Sequence, residues 1–102
     1  MENKYVISVK RVRDYSGCHL EESKQYFEYA QIDDKGPMAT GWPCLSSFYG
    51  AKTFNTVDDA LAWWKSNRYV LDYGKNDYAL DTLAVRKVIF KKVCNIDIDT
   101  DS

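Results

Sequence analysis

A chain of 102 residues suffices for one domain around one hydrophobic core and is too short for two. Its formal net charge of −1 supplies no field that would steer it toward nucleic acid or an anionic membrane. Three cysteines, Cys18, Cys44 and Cys94, share no C-x-x-C spacing, which argues against a disulfide framework or a zinc site.

Residues 4–12 (KYVISVKRV) alternate, with Tyr5, Ile7 and Val9 on one side and Val6, Ser8 and Lys10 on the other. That period of two predicts a strand. Polar residues and Gly17 then predict a loop. Residues 25–33 (QYFEYAQID) read as a second strand, with Tyr26, Ala30 and Ile32 on one face and Phe27 and Tyr29 on the other. The turn-forming DDKGPM follows, so the two strands are expected to pair antiparallel.

Pro43 and Gly50 interrupt residues 38–54, so a third strand within 44–54 is expected to be short or at an edge. The helix is the clearest element. Thr56 suits an N-cap, and Asp58 and Asp59 occupy the first turn, where the helix dipole favours negative charge. On a helical wheel Val57, Ala60, Leu61, Trp64 and Leu71 cluster on one side, with Arg68 along its edge. Trp63 falls ~100° from Trp64 and is expected on the flank, where it either seals the sheet edge or meets a partner. The helix is expected to stop at Gly74 or earlier, near Asn67. KNDYALD reads as a loop, residues 82–96 as a long final strand, and residues 97–102 as an acidic, frayed tail.

The expected fold is α+β, a small antiparallel sheet of three to four strands with one main helix on one face, in the order β-β-(β)-α-β. Residues 1–96 form its single domain. One helix covers one face of a sheet, so the other face must meet water, a second copy or a ligand. The aromatic share of 15 % is high, which suits contact surfaces and β-rich cores alike.

Little in the chain reads as reaction chemistry. Cys18 and His19 are adjacent, and neighbours in extended chain point apart. Asp97, Asp99 and Asp101 alternate like the start of a calcium loop but lack its glycine and distal Glu. The five glycines are scattered and make no phosphate cradle. Seven aspartates (Asp33, Asp34, Asp58, Asp59, Asp72, Asp77 and Asp81) would mimic nucleic-acid phosphates only locally. No catalytic residue, cofactor or metal is assigned. Charged residues interrupt the first twenty positions, so no signal peptide is read there, and no later run would span a bilayer. A cytoplasmic protein with no membrane partner is expected.

The stretch GAKTFNTVDDALAWWKSN resembles the small β-β-α-β proteins common in phage and prophage genomes. In these a YVI-type strand pair precedes an A-K-x-F-x-T-x-x-x-A-x-x-W segment and a terminal Val/Ile-rich strand. Ala51, Lys52, Phe54, Thr56, Ala60 and Trp63 fill that pattern here, between Tyr5 to Val9 and Val85 to Val93. The resemblance implies a fold, a phage origin and thereby a host cytoplasm, and no active site. The strand-to-helix entry also resembles the arm-binding domain of phage integrases, which is basic where this chain is not.

Three functions fit these readings. The first is a non-enzymatic module that binds a host protein, such as an anti-CRISPR or other anti-defence inhibitor acting by steric occlusion. Its contacts would come from Trp42, Tyr49, Trp63, Tyr26, Phe27 and Tyr29, with Trp42 prominent because proline after it holds it extended. The second is a nucleic-acid-binding accessory domain using Lys10, Arg11, Arg13, Arg86, Lys87, Lys91 and Lys92, if the first and last strands lie side by side. The third is a structural or assembly protein that buries its open sheet face in a homodimer.

Overall fold

The computed structural model describes residues 3–72 and 74–89. Four strands form one antiparallel sheet: β1 (Lys4–Arg11), β2 (Tyr26–Ile32), β3 (Pro43–Ser46) and β4 (Tyr78–Val88), in the order β3-β2-β1-β4. The main helix α1 (Val57–Asn67) lies against β1 and β4. The fold class expected from the alternation is therefore the one observed.

Strand register fixes which side chains share a face, because directly paired residues project to the same side. Ser8 pairs with Tyr29 and Val9 with Glu28, while Tyr5 opposes Lys87 and Ile7 opposes Val85. The helix-side core gathers Ile7, Ala30, Phe54 and Ala60, with Tyr5, Leu45, Trp63, Trp64, Leu83 and Val85 packed around it. The far ends of β1 and β2 part, and the lead into α1 fills the gap. Lys52 N donates to the Ala30 carbonyl, and Tyr5 and Phe54 exchange both backbone hydrogen bonds.

Three features differ from the sequence expectation. The last strand begins at Tyr78 rather than at residue 82, because it carries a bulge. Ser8 faces Ala84 and Lys10 faces Ala79, so β4 spends extra residues against this short step of β1. The Thr82 hydroxyl fills the break, accepting from Lys10 N and donating to the Ala79 carbonyl.

The buried stripe of α1 is also rotated. Ala60 is wholly buried and Trp63, Trp64 and Asn67 half-buried, whereas Val57 and Leu61 are 42% and 52% exposed. Residues 60, 63, 64 and 67 are the i, i+3, i+4, i+7 set of one face. Both tryptophans thus belong to it. Trp63 lies 5.9 Å from the Phe54 ring centroid, so of the two roles open to it the packing one is observed. An apolar hollow of about 170 Å³ lies between Leu61, Trp64 and β4, so the helix does not fill the sheet's width.

The third difference is the face away from α1. Val6 and Ser8 project there yet are 2% and 0% exposed. Arg86 lies over Ser8, donating to its hydroxyl at 2.7 Å and its carbonyl at 3.1 Å. Thr56 caps α1 as its sequence suggests, accepting from Asp59 N at 3.0 Å. The helix ends at Asn67 and continues as the 3₁₀ turn Arg68–Leu71. Arg68 is exposed rather than laid along the buried stripe.

Candidate functional site

Beyond the end of α1 the helix side of the sheet is uncovered, and a cleft of about 390 Å³ opens there. Its lining comes from the Arg11 end of β1, the β1–β2 loop (Tyr15), the entry to β3 (Trp42 to Leu45), the 3₁₀ turn (Tyr69 and Val70) and the approach to β4 (Gly74, Asp77 and Tyr78).

The floor is a buried charge network. Alternation along β1 places Arg11 on the same side as Ile7 and Val9, and Glu28 shares Ala30's side of β2. Arg11 Nη1 reaches Glu28 Oε1 at 3.1 Å and Tyr78 Oη at 3.0 Å. Tyr78 and Tyr15 donate their hydroxyls to Glu28 at 2.8 and 3.3 Å. Asp77 stands 3.9 Å from Arg11 Nη2. The guanidinium lies 4.1 Å from the Tyr15 ring centroid and 5.3 Å from that of Tyr78, so aromatic faces cover part of its charge.

The acid–base behaviour follows from this packing. Burial, then the hydrogen bond to Glu28 and its negative charge, pushes the Tyr78 hydroxyl far above the ordinary tyrosine range. Burial, with the charge of Glu28, likewise raises Tyr15. Desolvation opposes the Arg11 charge, but the hydrogen bond to Glu28 and the surrounding negative groups outweigh it and raise its pKa.

The rim is aromatic and held by local structure. Asp33 N donates to the Trp42 carbonyl, Gly41 N to the Asp33 carbonyl, and the Asp33 carboxylate accepts from Thr40 N and Oγ1. Gly41 takes φ +75°, a left-handed conformation open to glycine at little cost. That closed loop and Pro43 after it set Trp42 at the mouth, 64% exposed. Tyr15 is held by the turn in which the Asp14 carboxylate accepts from Ser16 N, Ser16 Oγ and Cys18 N. These bonds, led by that from the Ser16 hydroxyl, keep the Asp14 carboxyl below its usual pKa. Tyr69 sits in the 3₁₀ turn that prolongs α1. The Asp77 carbonyl accepts from Val12 N and Arg13 N, tying the approach to β4 to the end of β1.

The residues singled out in the sequence are dispersed. Of the six residues expected to contact a protein partner, Trp42 alone lines the cleft. Tyr26, 44% exposed, pairs with Arg11 in the sheet. Phe27 and Tyr29 project from the opposite face, and Tyr29 packs edge-on against Phe48 at 5.2 Å. Tyr49 is fully displayed in the 3₁₀ turn Phe48–Gly50, away from the cleft lining, and Trp63 is in the core.

The basic set divides as well. Strands β1 and β4 do lie side by side, but Arg11 is buried against Glu28. Arg86 is bound to Ser8 and to the Thr82 carbonyl, with its guanidinium 4.5 Å from the Phe27 ring centroid. Lys10 Nζ lies 5.7 Å from the same ring. Arg13 and Lys87 are exposed. Lys91, Lys92, Cys94, the expected strand beyond residue 89 and the acidic tail lie outside the described residues.

Cys18 is exposed, and the neighbouring His19 forms an isolated backbone bridge to Arg13. Among the described residues no group of three or more His, Cys, Asp or Glu is placed to hold a metal ion, and no helix is long and apolar enough to cross a membrane. Sequence reasoning missed Tyr15, Tyr69 and the buried role of Arg11. The signal for Arg11 was its parity with Ile7 and Val9, which puts an arginine on a core-facing register. No family model, curated protein or solved structure matches this chain.

Proposed function

We propose that this protein is a small non-enzymatic binding module whose cleft receives part of another protein. One observation carries the reading: Trp42, Tyr15 and Tyr69, which are 64%, 80% and 41% exposed, converge from three separate segments on a single concavity. Trp, Tyr and Arg dominate the energetics of protein interfaces, and exposed aromatics around a pocket are the form such anchors take. The floor beneath them is rigid, because Arg11 and Glu28 are buried and cross-linked through two tyrosines. A preformed site loses little freedom on binding.

The resemblance of residues 50–67 to phage-encoded proteins supports the more specific proposal. It makes the chain an inhibitor of anti-CRISPR or other anti-defence type, acting in the host cytoplasm by covering a host protein's working surface. Retention of a host protein on the immobilised chain, lost on Trp42→Ala, tests it. If the same column retains only nucleic acid, released as salt rises, the nucleic-acid reading replaces it. That reading has less support: Arg11 and Arg86, two members of its basic set, are already paired inside the fold. A stable dimer by light scattering that hides Trp42 would favour the homodimer instead.

A further inference from the structure

We propose that the occupant of the cleft is a cationic side chain of the partner, best an arginine, stacked among Trp42, Tyr15 and Tyr69 and facing Asp77. The proposal rests on the protein-binding reading above and names the chemistry that the cleft selects.

Charge complementarity is the first argument. The ionised groups of the floor are Arg11, Glu28 and Asp77. The Arg11 charge is satisfied by Glu28, which accepts from it directly, and is further covered by two tyrosine rings. Asp77 is left in excess. Its side chain is 33% exposed and lines the cleft, while its separation from Arg11 Nη2, 3.9 Å, is too long for a hydrogen bond. The local sum is one negative charge at the bottom of an aromatic hollow.

Aromatic faces then decide between cations and neutral groups. Ring faces carry negative potential and attract a cation within ~6 Å of the centroid. Arginine adds planar stacking and a donor fork that suits a carboxylate. The molecule already uses this arrangement internally, since Arg11 lies against Tyr15 and Tyr78. An anionic occupant is disfavoured. Among the described residues the one buried side-chain donor without a partner, Arg11 Nε, exposes almost no surface and is out of an incoming anion's reach.

The test uses the intact chain and three blocked tripeptides, glycine-X-glycine, with X arginine, citrulline or glutamate. Binding is followed by NMR through the Trp42 indole N–H. Saturable shifts are expected with arginine, centred on Trp42, Tyr15 and Tyr69. Citrulline, which keeps the shape and loses the charge, should bind about tenfold more weakly, as should arginine to Asp77→Asn. Asp77 hydrogen-bonds to β1 through its backbone carbonyl, and its carboxylate lies beyond hydrogen-bond distance of Arg11, so this isosteric change should keep the fold, and retained spectral dispersion verifies it. Equal binding of arginine and citrulline, preference for glutamate, or silence of the Trp42 indole with all three overturns the proposal. Capture of a host protein that depends on Trp42 but not on Asp77 also overturns it, while leaving the protein-binding reading in place.

Discussion

Arg11 and Glu28 form an ion pair at 3.1 Å with side chains only 6% and 3% exposed. The pair is the junction between the sheet and the cleft, because Tyr15 from the rim and Tyr78 from β4 both hydrogen-bond to Glu28. Two buried charges without each other leave a desolvated ion unpaired, a far larger penalty than the net worth of the pair. Arg11→Ala or Glu28→Ala should therefore cost about 3–5 kcal/mol in urea unfolding. Arg11→Met combined with Glu28→Leu should recover most of that loss. Single variants within about 1 kcal/mol of the parent, against the cost expected for a buried pair, would show that the pair is solvated.

Tyr78 makes the cleft floor sensitive to alkali. Its folded-state pKa lies above the unfolded value of about 10. The folded form therefore holds its proton when the unfolded chain has lost it. The corresponding stability is fully present below about pH 10 and falls as pH rises above it. Absorbance at alkaline pH should show a tyrosine that ionises well above the unfolded value of about 10 and is lost in Tyr78→Phe. Tyr78→Phe should flatten the loss of stability above about pH 10; an unchanged slope would contradict the assignment.

The adjacent tryptophans carry comparable structural weight. Both pack on the core, and both remain half-buried. Trp63→Ala and Trp64→Ala should each cost about 2–3 kcal/mol, below the ~3–5 of a fully buried aromatic. A Trp63 on the flank, as the sequence alone places it, would be largely dispensable to folding. A Trp63→Ala melting temperature equal to the parent's would restore that expectation.

Thr56 holds the start of α1 through the Asp59 N–H. Thr56→Ala should cost about 1 kcal/mol, a drop of roughly 4–8 °C in melting temperature for a domain of this size. Thr56→Ser should lie close to the parent, because the accepting oxygen is kept.

The strands and the helix cap were legible because they are local. The alternation of residues 5–9, the DDKGPM turn and Thr56 before two aspartates each act within a few residues. The rotation of the α1 stripe was not, because hydrophobicity alone gives Leu61 and Trp63 equal claims. Phe54, brought beside Trp63 by its pairing with Tyr5, decides between them. Arg11 is the sharpest case. Beside Lys10 and Arg13 it reads as one of a basic cluster, while its parity with Val9 reads as core. Only the register that sets Val9 opposite Glu28 shows which holds. The cleft was illegible for the same reason. Tyr15, Trp42 and Tyr69 stand far apart in sequence, and no local rule joins them.

The site itself is tested by substitution at its rim. With the captured host protein in hand, its affinity is measured for the parent, Trp42→Ala and Tyr49→Ala, each first shown to be folded. Tyr49 is 96% exposed but does not line the cleft, which makes it the control for a merely displayed aromatic. If Trp42 anchors the partner, its loss should weaken binding about thirtyfold, the effect of a hot-spot residue worth about 2 kcal/mol, while Tyr49→Ala stays within about twofold. Equal affinities for the parent and Trp42→Ala, or a larger loss on Tyr49→Ala, would place the interface elsewhere on the molecule and contradict the account.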